Sequence, residues 1–330
     1  MRTALPDMLP SVERTPRRFV KPAGVALLVV LLAIFPLVFT NPSITEIGVL
    51  TMIYLGSASA WNAFSGFSGY ISLGHAVFFG CGAYALGLMA EHWHVSGFAV
   101  FALLPLCGLV AGLVAVPFGL ISLRVRRHTF VVLTIAVFFI FQLMAYNFGF
   151  TGGAEGILAP SITMSPDVYN DPFYYIAFAI AALTVAMAVL VRRSRFGLRL
   201  LAIRDDEDRA RGLGVPVTRI KLTAFVMSAV PIGIIGGLWM FFIGQVLPEY
   251  GFDPLFDLAV ALMAFLGGFG TVSGPVLGAL IIEPLQQWLT LEFTSSASLS
   301  LIVEGSLFLA VILLLPRGVI PTLAEKLKKS

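Results

Sequence analysis

Long apolar blocks separated by short polar connections restrict the fold of this sequence more than any other feature. A transmembrane helix needs about 20 mostly apolar residues, and ten segments approach that requirement: 24–40, 44–63, 75–91, 97–123, 129–149, 172–192, 220–244, 256–267, 275–291 and 300–316. The eighth is the shortest, and a discontinuous helix is an alternative there. Because the apolar residues form continuous runs, the pattern predicts an all-α, polytopic transmembrane helix bundle of about ten spans and not a β-barrel.

Charged residues are too scarce to form a water-exposed surface. They make up 12% of the 330 residues, whereas hydrophobic residues make up 58%. Soluble domains usually carry about a quarter charged residues, so lipid has to cover much of the outside of this protein. The composition excludes an ordinary soluble domain, and the net charge of +3 gives no indication of a nucleic-acid partner.

The distribution of Lys and Arg predicts the orientation of the bundle. These residues cluster before the first segment, after the fourth, after the sixth and after the tenth, whereas the connections in between are acidic or neutral. Because basic loops stay on the cytoplasmic side, ten spans place both termini in the cytoplasm. We therefore expect a cytoplasmic tail at 1–23, a transmembrane domain at 24–316 with a large cytoplasmic loop at 192–221, and a cytoplasmic tail at 317–330.

Two connections on the predicted cytoplasmic side contain no Lys or Arg and are rich in Gly and Ser. They are residues 64–75 and 267–275. Non-helical backbone at membrane depth is tolerated where it lines a path or is enclosed by protein. The candidate residues for a translocation path are Ser65, Gly66, Ser68, Gly69, Ser72, Gly74, His75, Gly267, Gly268, Gly270, Thr271, Ser273 and Gly274. The alternative is that these small residues form tight turns or close helix contacts.

The loop at 192–221 has the pattern of two short helices. Phe196, Leu200 and Ile203 are spaced as on one helix face, and Asp205 is a candidate N-cap for a second helix. Acidic residues follow in its first turn, where they suit the helix dipole, and glycines end it. We expect this helix to dock on a soluble partner through Arg204, Asp205, Asp206, Glu207, Asp208, Ala210, Gly212 and Gly214. The alternative is that the arginines only obey the positive-inside rule.

Several chemistries lack the residues that they require. There is no P-loop, so any ATP hydrolysis has to come from a partner, and no arrangement of the four histidines indicates a metal site, a cofactor or a catalytic centre. Acidic residues are scarce within the apolar segments, and we expect two of them, Glu283 and Glu304, near the outer ends. This scarcity disfavours an ion-coupled secondary carrier, which remains an alternative, and a membrane enzyme ranks last.

A series of motifs resembles the branched-chain amino-acid ABC transporter permeases of the LivM type. The motifs follow the order of that family over nearly the whole chain: Asn62–Ala76, Gly80–Tyr84, Thr151–Gly156, Phe196–Gly197, Ala202–Glu207, Lys221–Phe225, Gly267–Ala279 and Pro316–Gly318. The segment Asp208–Gly214 lies where such permeases carry the helix that couples them to the ATPase. It departs from the family pattern because Asp208 and Arg209 replace the first two residues of Glu-Ala-Ala.

The resemblance implies a subunit of an importer in the bacterial inner membrane. Such a permease pairs with a second, LivH-like permease, binds two ATP-binding subunits and receives its ligand from a periplasmic substrate-binding protein. Branched-chain amino acids are the substrates that the resemblance implies first, and urea, amides or other amino acids are alternatives within the same family.

Overall fold

The computed structural model describes residues 22–162, 164–165, 168–292 and 305–306. Both predicted tails, apart from residues 22 and 23, and nearly all of the tenth predicted segment, with Glu304, lie outside the described residues. The helices are α1 (Pro22–Val38), α2 (Pro42–Ser68), α3 (Ala76–His92), α4 (Leu104–Ser122), α5 (Arg127–Asn147), α6 (Asn170–Arg193), α7 (Arg195–Asp205), α8 (Glu207–Gly212), α9 (Val217–Ile243), α10 (Pro248–Gly251), α11 (Pro254–Gly268) and α12 (Ser273–Glu292).

Short elements complete the described chain. Three 3-10 turns occur at Gly97–Leu103, Gly149–Thr151 and Gly153–Glu155. Two-residue strands, β1 (Ile157–Leu158) and β2 (Gln245–Val246), pair in antiparallel fashion. This pairing joins the connection before α6 to the one after α9, so these two connections lie at the same end of the bundle.

The helices confirm an all-α polytopic architecture. Six helical stretches in the described residues are long and apolar enough to cross a membrane: Pro42–Ser68, Gly97–Ser122, Arg127–Asn147, Asn170–Arg193, Val217–Ile243 and Pro248–Gly268. A shorter apolar helix covers Gly24–Val38. Each of the first nine predicted segments coincides with a helix, whereas the count of ten spans and the side on which the termini lie stay predictions.

Helix α2 occupies the centre of the bundle. In its apolar window 89% of the residues are buried, against 22% for α5, and α2 packs on α6, α9, α11 and α12. Large apolar side chains such as Leu113, Val132 and Leu143 point outward on α4 and α5. This distribution is expected of a bundle whose peripheral helices face lipid.

Glycines bring α3 and α9 into backbone contact. A Cβ atom at Gly236 would lie 2.0 Å from the carbonyl oxygen of Phe79, and one at Gly82 would lie 2.0 Å from that of Gly233. Small residues at such crossings allow helices in a membrane to approach closely, where van der Waals contact drives their association.

Replacing Gly236 with Val should destabilise the bundle by about 1–3 kcal/mol, because the added side chain overpacks the α3–α9 contact. The measurement is thermal unfolding of the purified protein in detergent. The control is Gly149→Ala, since a Cβ at Gly149 would meet no atom within 4 Å. Equal unfolding temperatures for the two variants would contradict the close contact between α3 and α9 at Gly236.

Candidate functional site

Helices α7 and α8 form a capped pair at the end of the bundle that also carries the basic connection between α4 and α5. We call this end the basic end. Ser194 caps α7 by accepting a hydrogen bond from the backbone N–H of Gly197 at 3.1 Å, and Leu200 and Ile203 are fully buried. Arg127, at the start of α5, donates to the carbonyl oxygens of Ile203 and Arg204 at 2.8 and 2.6 Å. The predicted amphipathic segment is therefore a helix with side-chain hydrogen bonds at both of its ends.

The predicted cap of the second helix is wrong by one residue. Asp206, and not Asp205, caps α8, because its carboxylate accepts from the backbone N–H of Arg209 at 3.0 Å. Asp205 is the last residue of α7. The buried side chains of α7 extend that helix to Asp205, and the chain turns extended only at Asp206, where φ is −156°. The α8 helix then ends at Gly212, and Gly214 follows with φ of +81°.

A buried ion pair joins α8 to the bundle. The Lys221 ammonium on α9 lies 3.0 Å from the carboxylate of Glu207, the first residue of α8, and the side chains are 3% and 20% exposed. Lys221 also donates to the Tyr70 hydroxyl at 3.0 Å and to the Leu123 carbonyl at 3.4 Å. The Tyr70 hydroxyl in turn donates to the Glu207 carboxylate. Buried charges are tolerated when they are paired and hydrogen-bonded in this way.

The surroundings favour the charged form of Glu207. Burial alone would raise its pKa, but hydrogen bonds from Tyr70 and Lys221 and the charges of Lys221 and Arg211 lower the pKa below its ordinary value. Burial and the neighbouring carboxylate raise the pKa of Tyr70. At neutral pH Glu207 is therefore an anion and Tyr70 keeps the proton that it donates.

The Arg204 side chain connects α7 to both predicted small-residue connections. Its guanidinium donates to the carbonyl oxygen of Gly66 at 2.7 Å and lies 5.0 Å from the ring centre of Phe269. A Cβ atom at Gly270 would stand 1.9 Å from the same guanidinium. Gly270 is therefore required both by its φ of +77° and by the space that Arg204 occupies.

Asn62, which lies on α2 just before the first of these connections, bonds directly to the second. Its amide donates to the Thr271 carbonyl at 2.7 Å and accepts from the Gly270 N–H at 2.9 Å. A hydrogen bond from the Thr271 hydroxyl to the Gly268 carbonyl and one from the Gly274 N–H to that hydroxyl close the turn between α11 and α12. Two stretches more than 200 residues apart thus meet at the basic end.

The first of these connections is less open than predicted. Helix α2 continues to Ser68 and ends at Gly69, whose φ is +74°, and α11 continues to Gly268. The predicted non-helical stretches begin too early because buried Phe64 and Phe67 prolong α2. Within the two predicted connections, only residues 69–75, which we call the fold-back segment, and residues 269–272 are non-helical.

The fold-back segment returns along α2. The Trp61 indole donates to the Ser72 carbonyl at 2.8 Å, and the Ser72 N–H donates to the Ser65 hydroxyl at 3.3 Å. Trp61 lies seven residues before the end of α2, about 10 Å along the helix axis. Helix α3 therefore begins beside the interior of α2 and not beyond its end.

The serines of this region bond to backbone. The Ser68 hydroxyl accepts from the Tyr70 N–H, and the Ser72 hydroxyl accepts from the Gly74 N–H. Ser65, Ser68, Ser72 and His75 are all completely buried. These contacts agree with the close-packing alternative, and lining of a translocation path by these residues stays a prediction.

Buried polar side chains surround the start of α3. Asp257 on α11 accepts from the Ala76 N–H with both carboxylate oxygens, at 3.2 and 3.1 Å. His75 Nε2 lies 2.9 Å from the Ser228 hydroxyl on α9. Sequence reasoning missed Asp257, although it lies inside the eighth predicted segment. It also misplaced Glu283, which is completely buried at the middle of α12 and accepts from Gln287 at 2.8 Å.

Each end of the bundle carries a cleft. The one at the basic end, about 610 Å³, is lined by the Tyr70–Glu207–Lys221 cluster and by charged side chains of both basic connections. The one at the opposite end, about 790 Å³, is lined by Glu91, Glu155 and the glycine-rich residues 149–160. Among the described residues no group of His, Cys, Asp and Glu is arranged to hold a metal ion.

Sequence reasoning missed four residues that assemble the site: Asn62, Tyr70, Arg127 and Lys221. Three of them, Asn62, Tyr70 and Lys221, stand inside the motifs that carry the family resemblance. The available signal was that each of these three polar side chains lies inside one of the quoted motifs.

The long apolar helices and the loop helices anchored at one end define a multi-pass helical membrane protein. A family profile described as the permease component of branched-chain amino acid transport systems matches residues 43–312. The chain therefore belongs to this family of transport permeases.

Individual relatives agree with the family. The chain is 30% identical to the high-affinity branched-chain amino acid transport system permease protein LivM of Salmonella typhimurium, over 92% of this chain and 75% of that protein. LivM of Escherichia coli K12 is 29% identical over 92% and 76%. A probable LivH permease of Methanocaldococcus jannaschii is 24% identical over 46% and 49%. No solved structure matches the chain significantly.

Replacing Glu207 with Gln should lower the free energy of unfolding by about 3 kcal/mol, because it leaves the buried Lys221 ammonium without an anion. Thermal unfolding in detergent measures the effect. The control is Asp208→Asn, since the Asp208 side chain is 71% exposed and its ion pair with Arg126 spans 3.7 Å; it should change little. Equal losses in both variants would contradict the role of Glu207.

The same comparison has a pH dependence. Because the folded protein lowers the pKa of Glu207, its contribution is complete above the ordinary value of 4.5 and is lost as the pH falls through the lower folded value. The difference between wild type and Glu207→Gln should therefore be constant near neutral pH and shrink below pH 4.5.

Proposed function

We propose that this chain is one of two permease subunits of an ATP-driven importer for branched-chain amino acids in the bacterial inner membrane. The partners would be a second, LivH-like permease, two ATP-binding subunits and a periplasmic substrate-binding protein. The observation that carries the proposal is the family match over residues 43–312, which is supported by the LivM relatives that cover 92% of the chain.

The proposed topology has ten spans, both termini in the cytoplasm and the basic end facing the cytoplasm. The contacts of Arg126 with Asp208 and of Arg127 with α7 support it, because they bring the two predicted cytoplasmic loops together. The β1–β2 pair also supports this topology, because it brings together two connections that are both predicted to lie on the outer side.

In this proposal α8 is the helix on which an ATP-binding subunit docks. One face of α8 is held by the bundle through Glu207 and the buried Ala210. The opposite face is open: Asp208, Arg209 and Arg211 are exposed, and Leu213, which follows α8, is 84% exposed. The exposed arginines Arg209 and Arg211 suit contact with a partner surface, because arginine is enriched among the residues that dominate binding.

Transport would proceed by alternating access. Closure of the ATP-binding subunits would move α7 and α8, and Arg204 would carry this movement to the last turn of α2 at Gly66 and to the connection at Gly270. Small residues in the two connections would let the neighbouring helices slide past one another. The substrate path is proposed to run beside these connections.

The alternative within the family is a permease for urea, amides or other amino acids. An ion-coupled carrier is the second alternative, and the geometry of Asp257 weighs against it, since both carboxylate oxygens face the N–H of Ala76. Uptake that persists without ATP-binding subunits and collapses with an uncoupler would favour that carrier.

Replacing Gly212 with Trp should lower co-purification of the ATP-binding subunits and leucine uptake by about tenfold, which corresponds to about 1.4 kcal/mol of docking free energy. The substitution is directed at docking, because a Cβ at Gly212 would point into open space. The measurements are affinity purification of the co-expressed complex and uptake into proteoliposomes.

The matched control is Gly149→Trp at the opposite end of the bundle, where a Cβ would also meet nothing within 4 Å. This variant should retain the ATP-binding subunits. Undiminished assembly and uptake with Gly212→Trp would remove α8 from the coupling role.

A further inference from the structure

Residues 71–74 are attached to the bundle mainly through backbone groups. The Leu73 N–H donates to the Thr134 hydroxyl at 3.2 Å, and the Ser72 backbone is held by Trp61 and Ser65. The Tyr70 side chain is different, because it leaves the fold-back segment and reaches α8. Its ring is 1% exposed and packs against Phe130 with ring centres 5.4 Å apart. The phenol oxygen therefore has a fixed position.

Tyr70, Glu207 and Lys221 form a closed triangle of hydrogen bonds. Lys221 donates to the Tyr70 hydroxyl and to one Glu207 oxygen, each at 3.0 Å, and Tyr70 donates to the other Glu207 oxygen. The Lys221 ammonium also lies 4.2 Å from the centre of the Tyr70 ring. Each corner belongs to a different element: the fold-back segment, α8 and α9.

The remaining ion pairs of α8 hold it weakly. Asp208 pairs with Arg126 at 3.7 Å while both side chains are largely exposed, and the Asp206–Arg209 and Glu207–Arg211 pairs lie within α8 and its cap. Exposed pairs contribute little. A buried Lys that loses its anion is strongly unfavourable. Displacement of Glu207 therefore either moves Tyr70 and Lys221 with it or breaks their hydrogen bonds. Among the ion pairs of α8, the buried pair of Glu207 with Lys221 is therefore the firmest attachment to the bundle.

We propose that Tyr70 is a positioning residue that transmits movement of α8 to the fold-back segment, with Lys221 holding Glu207 in the required geometry. This inference rests on the proposed function, because it assumes that an ATP-binding subunit moves α8. Tyr70 touches neither nucleotide nor substrate. It links the docking helix to the segment that leads into α3.

The test uses the complete complex of permeases, ATP-binding subunits and binding protein in proteoliposomes. Tyr70→Phe removes the hydroxyl and keeps the ring. The ATP-binding subunits should co-purify as in wild type and hydrolyse ATP at a similar rate, whereas leucine transported per ATP hydrolysed should fall about tenfold. A purely structural role would lower assembly, hydrolysis and transport together.

The matched control is Tyr174→Phe. The Tyr174 hydroxyl is equally buried and donates to the Leu32 carbonyl at 2.7 Å, away from α8. Its variant should keep the wild-type ratio of transport to hydrolysis. The double variant Tyr70→Phe with Glu207→Gln should show no further fall beyond the larger single effect, because both changes break the same link.

A wild-type ratio in Tyr70→Phe would overturn the inference while leaving the proposed function intact. Equal losses in Tyr70→Phe and Tyr174→Phe would also overturn it, since the effect would then belong to any buried hydroxyl. If the wild-type chain retains no ATP-binding subunit, the proposed function fails and the linkage fails with it.

Discussion

The buried ion pair between Lys221 and Glu207 is the interaction on which the basic end depends. A lysine that is nearly inaccessible on a membrane helix requires an anion and further acceptors, and the structure supplies these from α8, from Tyr70 and from the Leu123 carbonyl. Because the anion is the first residue of α8, satisfying Lys221 also sets the position of that short helix. The same carboxylate thus stabilises α9 and orients the short helix α8.

A second constraint is the need to satisfy backbone groups where α3 begins inside the bundle. The indole of Trp61 bonds to the Ser72 carbonyl within the fold-back segment, and the carboxylate of Asp257 bonds to the Ala76 N–H at the start of α3. Serine hydroxyls accept from the N–H groups of Tyr70 and Gly74. A chain that folds back inside a helix bundle requires such partners.

The positions of the helices could be predicted from the sequence, because apolar runs of spanning length are expected to form transmembrane helices. The two-helix character of residues 195–212 also followed from local pattern and was confirmed. The cap at Asp206 could not be predicted, since burial of Leu200 and Ile203 decides where α7 ends. The end of α2 at Ser68 likewise depends on contacts of Phe64 and Phe67.

The candidate site was predicted in part. Residues 204–214 were identified as one unit and the two glycine-rich connections as another. The contacts of Arg204 and Asn62 that bring these parts together join residues far apart in sequence, so no local pattern predicts them. Tyr70 and Lys221 are unremarkable alone and acquire a role only when the fold brings Glu207 between them. Asp257 was missed because an acidic residue in the first turn of a helix resembles an ordinary capping residue.

The central claim is that α8 lies on the cytoplasmic side and is covered by an ATP-binding subunit. The most direct measurement is labelling of an Asp208→Cys variant with a membrane-impermeant maleimide, in right-side-out and inside-out vesicles, with wild type as the background control. The account predicts labelling only in inside-out vesicles stripped of the ATP-binding subunits, and protection when these are restored. Labelling from the outside of right-side-out vesicles would contradict it.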